Sequence, residues 1–433
     1  MKYLFLSFFT LFQLYADTLS GKVVHDITNE PIIGATVLSD KTFTQTDEYG
    51  VYTLESTNHL LKVKASGFER KAVTYIKSIP IALKEKHIRA LYVSYWALAA
   101  PKYMREIDKL IEQSNINALV VDIKNEQGYL AFKGNVELAT QIGAYKKRVI
   151  RDIEKFVSYY KKKNIYLIAR MSLFKDSLLS SKQQHLAVKL AQGKMYINKE
   201  RMSWSDPYND EVHNYNVALA KDVASFGFDE INFDYIRFPA RSGLSFSKEN
   251  NHENRQKAII SFLTKAKNGI NPHNVFISVD TFGHICWNYN ETSIGQNMKA
   301  MAEYVDYISP MLYPSGFAPG VGGVKNPVQQ PYEIVYKSLK KAHAQTGIKS
   351  EKFRPWLQAF KDYSYNKKHF KAEEILAQVS AANDAKSSGW MLWHASSRYS
   401  LDALTLIPHH TQQKEIATNE ATNSFFGFSH CSL

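Results

Sequence analysis

Gly227-Phe228-Asp229-Glu230-Ile231-Asn232-Phe233-Asp234-Tyr235-Ile236-Arg237-Phe238-Pro239 is the stretch on which the reading of the fold turns. From Glu230 to Tyr235 polar and apolar side chains alternate, which is the period of a β-strand and not of a helix. With Ile231 and Phe233 turned outward against helices, Asn232 and Asp234 turn toward the axis of a closed sheet. Strand-like runs recur on both sides of this one (230–236), at residues 90–95, 118–123, 166–170, 276–281, 306–311, 355–359 and 390–394. Between them Met104/Ile107/Leu110/Ile111, Ile150/Ile153/Phe156/Val157/Tyr160, Ile259/Ile260/Leu263 and Ile375/Leu376/Val379/Ala382 recur at helical spacing. Strands alternating with helices imply a parallel sheet. About eight such units over roughly three hundred residues make a (β/α)8 TIM barrel. An open doubly wound sheet would want a glycine-rich phosphate turn after its first strand. That strand ends Ser94-Tyr95-Trp96-Ala97, which has none.

Upstream the pattern changes. Short alternating runs at Lys22-Val23-Val24, Ala35-Thr36-Val37-Leu38, Val51-Tyr52-Thr53-Leu54 and Leu61-Lys62-Val63 are punctuated by turn residues such as Asn29-Glu30-Pro31 and Ser66-Gly67. They predict a β-sandwich over residues 17–86, followed by the barrel over 87–408. The arrangement Gly21…Pro31…Gly34-Ala35-Thr36-Val37…Thr46-Asp47-Glu48-Tyr49-Gly50…Tyr52 resembles the carboxypeptidase regulatory-like, transthyretin-like domain. That resemblance implies a seven-stranded sandwich used for attachment or stabilisation, a contact for envelope proteins or glycans. Asp47 and Glu48 then serve a tight turn and no chemistry.

A chain of 433 residues is too long for one ordinary core. Its 45% hydrophobic and 22% charged residues are those of a globular protein. The 13% aromatic content suits stacking on sugar rings and, equally, a large α/β core. Lys2, the apolar run 3–14 and Ala16 have the layout of a secretory signal peptide over residues 1–16. The run is too short for a membrane span, so export to the periplasm or the extracellular space is the expectation. Cys286 and Cys431 exclude a disulfide framework and a Cys-based zinc site, and read as two unpaired thiols. The net charge of +13 suits anionic polymers such as acidic glycans or an envelope surface. Lys161, Lys162 and Lys163 read as cations complementing a helix end. No nucleic-acid motif is present. The polar tail over 409–433 reads as disordered.

In a barrel of this kind, chemistry belongs to the C-terminal ends of the strands. The first strand ends in Tyr95-Trp96, and the second offers Asp122, Lys124 and Glu126. The third offers Arg170, the fourth Asp234 and Arg237, the fifth Asp280. Tyr313, Gln358, and Trp393 with His394 follow from the sixth, seventh and eighth. By strand parity Asp122 and Lys124 face inward, as do Asp234 and Asp280. Inward carboxylates are costly unless paired or functional, and three on separate strands point to catalysis. Glycosidic cleavage needs one carboxylic acid for the leaving oxygen and a second carboxylate as nucleophile or base. A Ser nucleophile would need a Gly-x-Ser-x-Gly elbow, which is absent. A deacetylase or metallohydrolase would need a His/Asp/Glu cluster, and His394 stands alone, so neither metal nor organic cofactor is expected.

The opening stretch, Asn117-Ala118-Leu119-Val120-Val121-Asp122-Ile123-Lys124…Gly128, and Tyr307-Ile308-Ser309-Pro310-Met311-Leu312-Tyr313-Pro314 together resemble a glycoside-hydrolase family once catalogued as a domain of unknown function, DUF4015. The resemblance covers residues 88 to 400 and implies a relative of the α-amylase-type and polysaccharide-cleaving barrels. By that analogy Asp234 is the leading catalytic residue, with Asp280 its partner. Asp122 orients substrate or tunes a pKa through Lys124. Arg237 holds Asp234 ionised or closes its loop with a salt bridge. Trp96, Tyr235, Tyr313 and Trp393 are sugar platforms or plain core. Lys124, Glu126, Arg170, Arg237, Gln358 and His394 are the polar substrate contacts. Two functions follow: an exported hydrolase of an envelope or extracellular polysaccharide, or a carbohydrate-binding or scaffold protein on a barrel without catalysis. Carboxyl groups about 5–5.5 Å apart would suit a retaining enzyme, and about 6.5–9.5 Å an inverting one.

Overall fold

The computed structural model describes residues 16–288 and 293–407. The leader over 1–16 (Ala16 apart), the tail over 409–433 and Cys431 lie outside the described residues. No described helix is long and apolar enough to cross a membrane. The chain divides between Glu85 and Lys86 into two compact units.

The first unit has seven strands in two sheets. Asp17–His25 runs between Val51–Ser56, antiparallel, and Ile81–Leu83, parallel. The second sheet is antiparallel in the order Thr42–Gln45, Thr36–Ser39, Leu60–Lys64, Lys71–Thr74. Alternation decides which faces are buried: Tyr52, Leu54 and Ser56 are buried, while Val51, Thr53 and Glu55 are exposed. Leu19, Val23 and Tyr52 from one sheet and Val37, Leu61 and Val63 from the other form a single core cluster. Asp47 is a turn residue, its Oδ1 accepting the Tyr49 and Val51 amides at 2.9 and 2.8 Å.

The second unit is a closed barrel of eight parallel strands. In chain order they are β1 (Ile88–Val93), β2 (Ala118–Lys124), β3 (Tyr166–Ser172), β4 (Glu230–Asp234), β5 (Phe276–Phe282), β6 (Tyr307–Met311), β7 (Trp356–Gln358) and β8 (Gly389–Trp393). Each pairs with its neighbour in sequence, and β8 closes on β1. Leu91, Val121, Ala169, Phe233, Val279 and Leu392 face outward and join the helices in one large core. Ala90, Tyr92, Val120, Ile168, Phe276 and Trp356 fill the interior. Helix Ile153–Lys162 ends in the lysines read as a cap, and Lys161 there pairs with Asp229 at 2.5 Å.

Two features of the interior were not legible in the sequence. At its N-terminal end a fully buried pair, Arg354 and Glu230, meets at 2.6 Å, with the Tyr166 hydroxyl donating to Glu230 at 2.9 Å. At the other end β2 bulges: Arg170 pairs with Asp122, but Met171 pairs with Lys124, so Ile123 is an extra residue. The bulge breaks the alternation and sends Lys124 out of the interior. Lys124 Nζ, fully buried, meets Asp176 at 2.7 Å and donates to the Ser172 carbonyl and Asn216 Oδ1, both at 2.9 Å. Gly128 belongs to the same arrangement. Its φ is +91°, and a Cβ there would lie 2.2 Å from Asp176 Oδ1.

Candidate active site

The site is organised by a residue of β3. Tyr166, Ile168 and Arg170 alternate into the interior, and Arg170 is only 1% exposed. A guanidinium buried so deeply needs anions on its donors. Nη1 donates to Asp122 Oδ1 at 2.6 Å, and Nη2 to Glu126 Oε1 at 2.7 Å and Asp234 Oδ2 at 2.5 Å. Nε reaches Asp234 Oδ2 at 3.0 Å. The rings of Tyr92 and Trp393 stack with centroids 3.9 Å apart and lie 5.6 and 5.1 Å from the guanidinium carbon. One cation thus draws together carboxylates from β2, the loop after it and β4.

Three carboxylates on one guanidinium in a buried site cannot all hold their charge cheaply. Burial lifts the Asp122 carboxyl to about 7 against the pull of Arg170, with Glu126 adding to the rise. At Glu126 burial again opposes the charge, but Arg170 wins and the carboxyl sits below its ordinary range. Asp280 completes the group from β5. The register Asn232↔Ser278 and Phe233↔Val279 sets Asp234 and Asp280 side by side on strands about 4.8 Å apart. Burial first, and the charge of Asp234 second, hold Asp280 well above the usual carboxylate range. Asp280 Oδ1 accepts from Asn232 Nδ2 at 2.8 Å and Trp356 Nε1 at 2.7 Å. Both partners donate to Oδ1, which leaves Oδ2 as the oxygen suited to carry a proton. Tyr313, half-buried, faces the same pair: burial, then Asp280 and Asp234, keep its phenol protonated far above neutrality.

The chain is strained just behind Asp234. Tyr235 has φ +51°, a left-handed conformation that an aromatic residue rarely adopts. Its amide donates to Asp234 Oδ1 at 2.6 Å, and Lys175 steadies the ring from 4.6 Å above it. Lys175 also pairs with Glu200.

Several expected contacts are corrected. Lys124 does not tune Asp122; the cation on that carboxylate is Arg170, because the β2 bulge turns Lys124 to Asp176. Among the described residues Arg237 neither pairs with Asp234 nor closes the loop by a salt bridge: its one hydrogen bond there is to the Phe238 carbonyl at 3.3 Å. Gln358 is fully buried and spends its amide on Ser315 and the Phe360 carbonyl. His394 holds its own loop, with Nδ1 accepting the Ser396 amide at 3.2 Å. Trp96 stands 62% exposed at the mouth. Sequence reasoning missed Lys175, Trp204, Phe282 (44% exposed) and Tyr363 (54% exposed), the last stacked on Phe360 at 7°. Phe282 lay one residue past the expected end of its strand, and the others lie in loops without periodicity.

The buried acids carry a pH signature. A carboxyl raised in the folded state favours folding below its unfolded pKa, and that contribution is lost as pH rises toward the folded value. Asp280 and Asp122 therefore each erode stability as pH rises above roughly 4, Asp122 only until about pH 7. In Asp280→Asn the amide oxygen still accepts from Asn232 and Trp356, and one of the two contributions disappears. Urea melts between pH 4.5 and 7 should show a shallower decline than wild type; parallel curves would refute the neutral acid.

A closed parallel barrel whose C-terminal mouth gathers three carboxylates on one guanidinium, with a fourth acid beside them and aromatic rings at the rim, holds the groups that glycosidic cleavage requires. Residues 90–399 match the family described as "Putative glycosyl hydrolase domain", DUF4015, and the chain belongs to that family. Among solved structures it is similar to a hypothetical protein from Ruminiclostridium thermocellum ATCC 27405, at 35% identity over 44% of this chain and 96% of that one, TM-score 0.40. It is similar in fold to the glycoside hydrolase domain of PgaB from Bordetella bronchiseptica, at 10% identity over 75% and 99% of the two chains, TM-score 0.50. A GH18 chitinase from Flavobacterium johnsoniae aligns at 15% identity over 74% and 94%, TM-score 0.43. No curated protein matches.

Proposed function

We propose that the enzyme is exported and cleaves a polysaccharide of the cell envelope or its surroundings, with Asp234 and Asp280 as the working pair. The observation that carries this is the split between the two neighbours. Asp234 is held by two nitrogens of Arg170, whereas burial and the neighbouring Asp234 push the Asp280 carboxyl well above the usual range and leave its Oδ2 free of the two donors on Oδ1. Asp234 then attacks the anomeric carbon, and Asp280 protonates the leaving oxygen. Their places on adjacent strands favour the short carboxyl spacing and retention of configuration. Glu126 shares Nη2 of Arg170 with Asp234 and is more open to the mouth, which suits it to orient the sugar. The leader motif supports export, and the N-terminal sandwich is suited to attachment to envelope proteins or glycans.

The test is release of reducing ends from a panel of envelope and extracellular polysaccharides by the mature protein, with the product anomer read by NMR. Retained products are expected. Loss of cleavage in Asp280→Asn should be largely spared on a dinitrophenyl glycoside, whose leaving group needs no acid. Equal losses on both substrates would remove Asp280 from the acid role, and binding without cleavage anywhere on the panel would remove the hydrolytic reading.

Trp96 tests the rim. Its ring is mostly exposed and touches Tyr95 edge-on at 5.6 Å, so Trp96→Ala costs little stability, within about 0.5 kcal/mol. Lost stacking of about 1 kcal/mol raises KM roughly fivefold. A lowered Tm with unchanged KM would mark Trp96 as core instead.

A further inference from the structure

Arg237 is a cation that forms no ion pair among the described residues, although Asp234 and Glu200 act on it from farther off. It follows Asp234 by three residues, yet among the described residues no carboxylate lies within ion-pairing distance of it, and a single backbone carbonyl takes one of its donors. Two cations beside the acids are paired: Arg170 with three carboxylates and Lys175 with Glu200. Arg237 is instead framed by rings. Its guanidinium carbon lies 5.0 Å from Trp204, 5.4 Å from Tyr235 and 5.9 Å from Phe282. Rings hold the guanidinium plane and leave most of its five donors unspent. Burial lowers its affinity for a proton more than the surrounding Tyr235, Asp234 and Glu200 raise it, so the half-buried charge is only partly compensated. A fixed guanidinium fork matches a carboxylate or sulfate with two parallel hydrogen bonds.

We propose that Arg237 forms a subsite for an anionic sugar, so that the polymer cut at Asp234 carries a carboxylate or sulfate ester on the unit bound beside the cleavage point. The aromatic shelf of Trp204 and Phe282 takes the apolar face of that unit while Arg237 takes its charge. The net charge of +13 attracts such a polyanion to the protein. This rests on the hydrolase reading above, and binding separates the two.

The full chain is titrated calorimetrically with an oligogalacturonate, its carboxyl-reduced counterpart and a sulfated galactan oligosaccharide. The acidic oligosaccharides should bind at least about tenfold tighter than the reduced one, the worth of one charge-assisted contact. Arg237→Met should remove the difference with thermal stability retained, and Arg237→Lys should keep part of it. Equal affinity for uronate and sulfate means the subsite reads charge; preference for uronate means it reads the planar fork. Equal binding of the reduced oligosaccharide, no binding of either acidic one, or a preference that survives in Arg237→Met overturns the proposal. Cleavage of neutral polysaccharides without acidic preference overturns it and leaves the hydrolase standing. Arg237-dependent acid binding with no cleavage anywhere does the reverse.

Discussion

Asp234→Asn is expected to lower kcat at least about a thousandfold, with glycan binding and the fold retained. The substitution keeps shape and removes the charge that attacks. Its structural cost is bounded by the hydrogen bonds. Asp234 Oδ2 accepts from two nitrogens of Arg170 and Oδ1 from the Tyr235 amide, so an amide group must turn its NH2 toward one donor. One unsatisfied contact costs about 1–3 kcal/mol, which a barrel of this size can bear. Asp234→Ala removes the clash, and azide should restore turnover by attacking from the vacated side, giving a glycosyl azide of inverted configuration. Undiminished kcat in Asp234→Asn, or azide with no effect on either variant, would move the nucleophile elsewhere, with Glu126 next in line.

Arg170→Leu should be the most destabilising substitution in the site. It strands Asp122, Glu126 and Asp234 together without a cation, and breaking a buried ion pair from one side typically costs about 3–5 kcal/mol. The damage should grow with pH. Asp122 already titrates near 7 with Arg170 beside it, and without the guanidinium its carboxyl rises further. A raised acid loses its stabilising contribution as pH climbs toward the folded pKa, so the variant should approach wild type at pH 5 and fall furthest behind at pH 8. Arg170→Lys is not a conservative repair, because a point charge cannot span three carboxylates that the planar fork reaches from separate nitrogens. Urea midpoints at both pH values decide it. A cost under about 1 kcal/mol, or one independent of pH, would mean that water or another cation holds these acids.

The sequence by itself determined the architecture and the strand ends. The alternation around Ile231 and Phe233, with seven more strand-like runs separated by helical segments, points to a closed parallel sheet of eight strands. It also put Asp122, Arg170, Asp234 and Asp280 at the C-terminal mouth, since strand ends are set locally by where apolar alternation stops. Which of those residues touch was decided only by the tertiary structure. Parity turned Lys124 inward, but a single bulged residue at Ile123 carried it to Asp176 and left Asp122 to Arg170. Proximity in the chain suggested Arg237 for Asp234, yet the left-handed turn at Tyr235 carries Arg237 among the rings of Trp204 and Phe282. Gln358, placed at the mouth by its strand, lies sealed against Ser315. Periodicity reports which face of an element is apolar. The partner of a buried charge is chosen across the barrel by residues far apart in sequence, because only there can an opposite charge offset the loss of water.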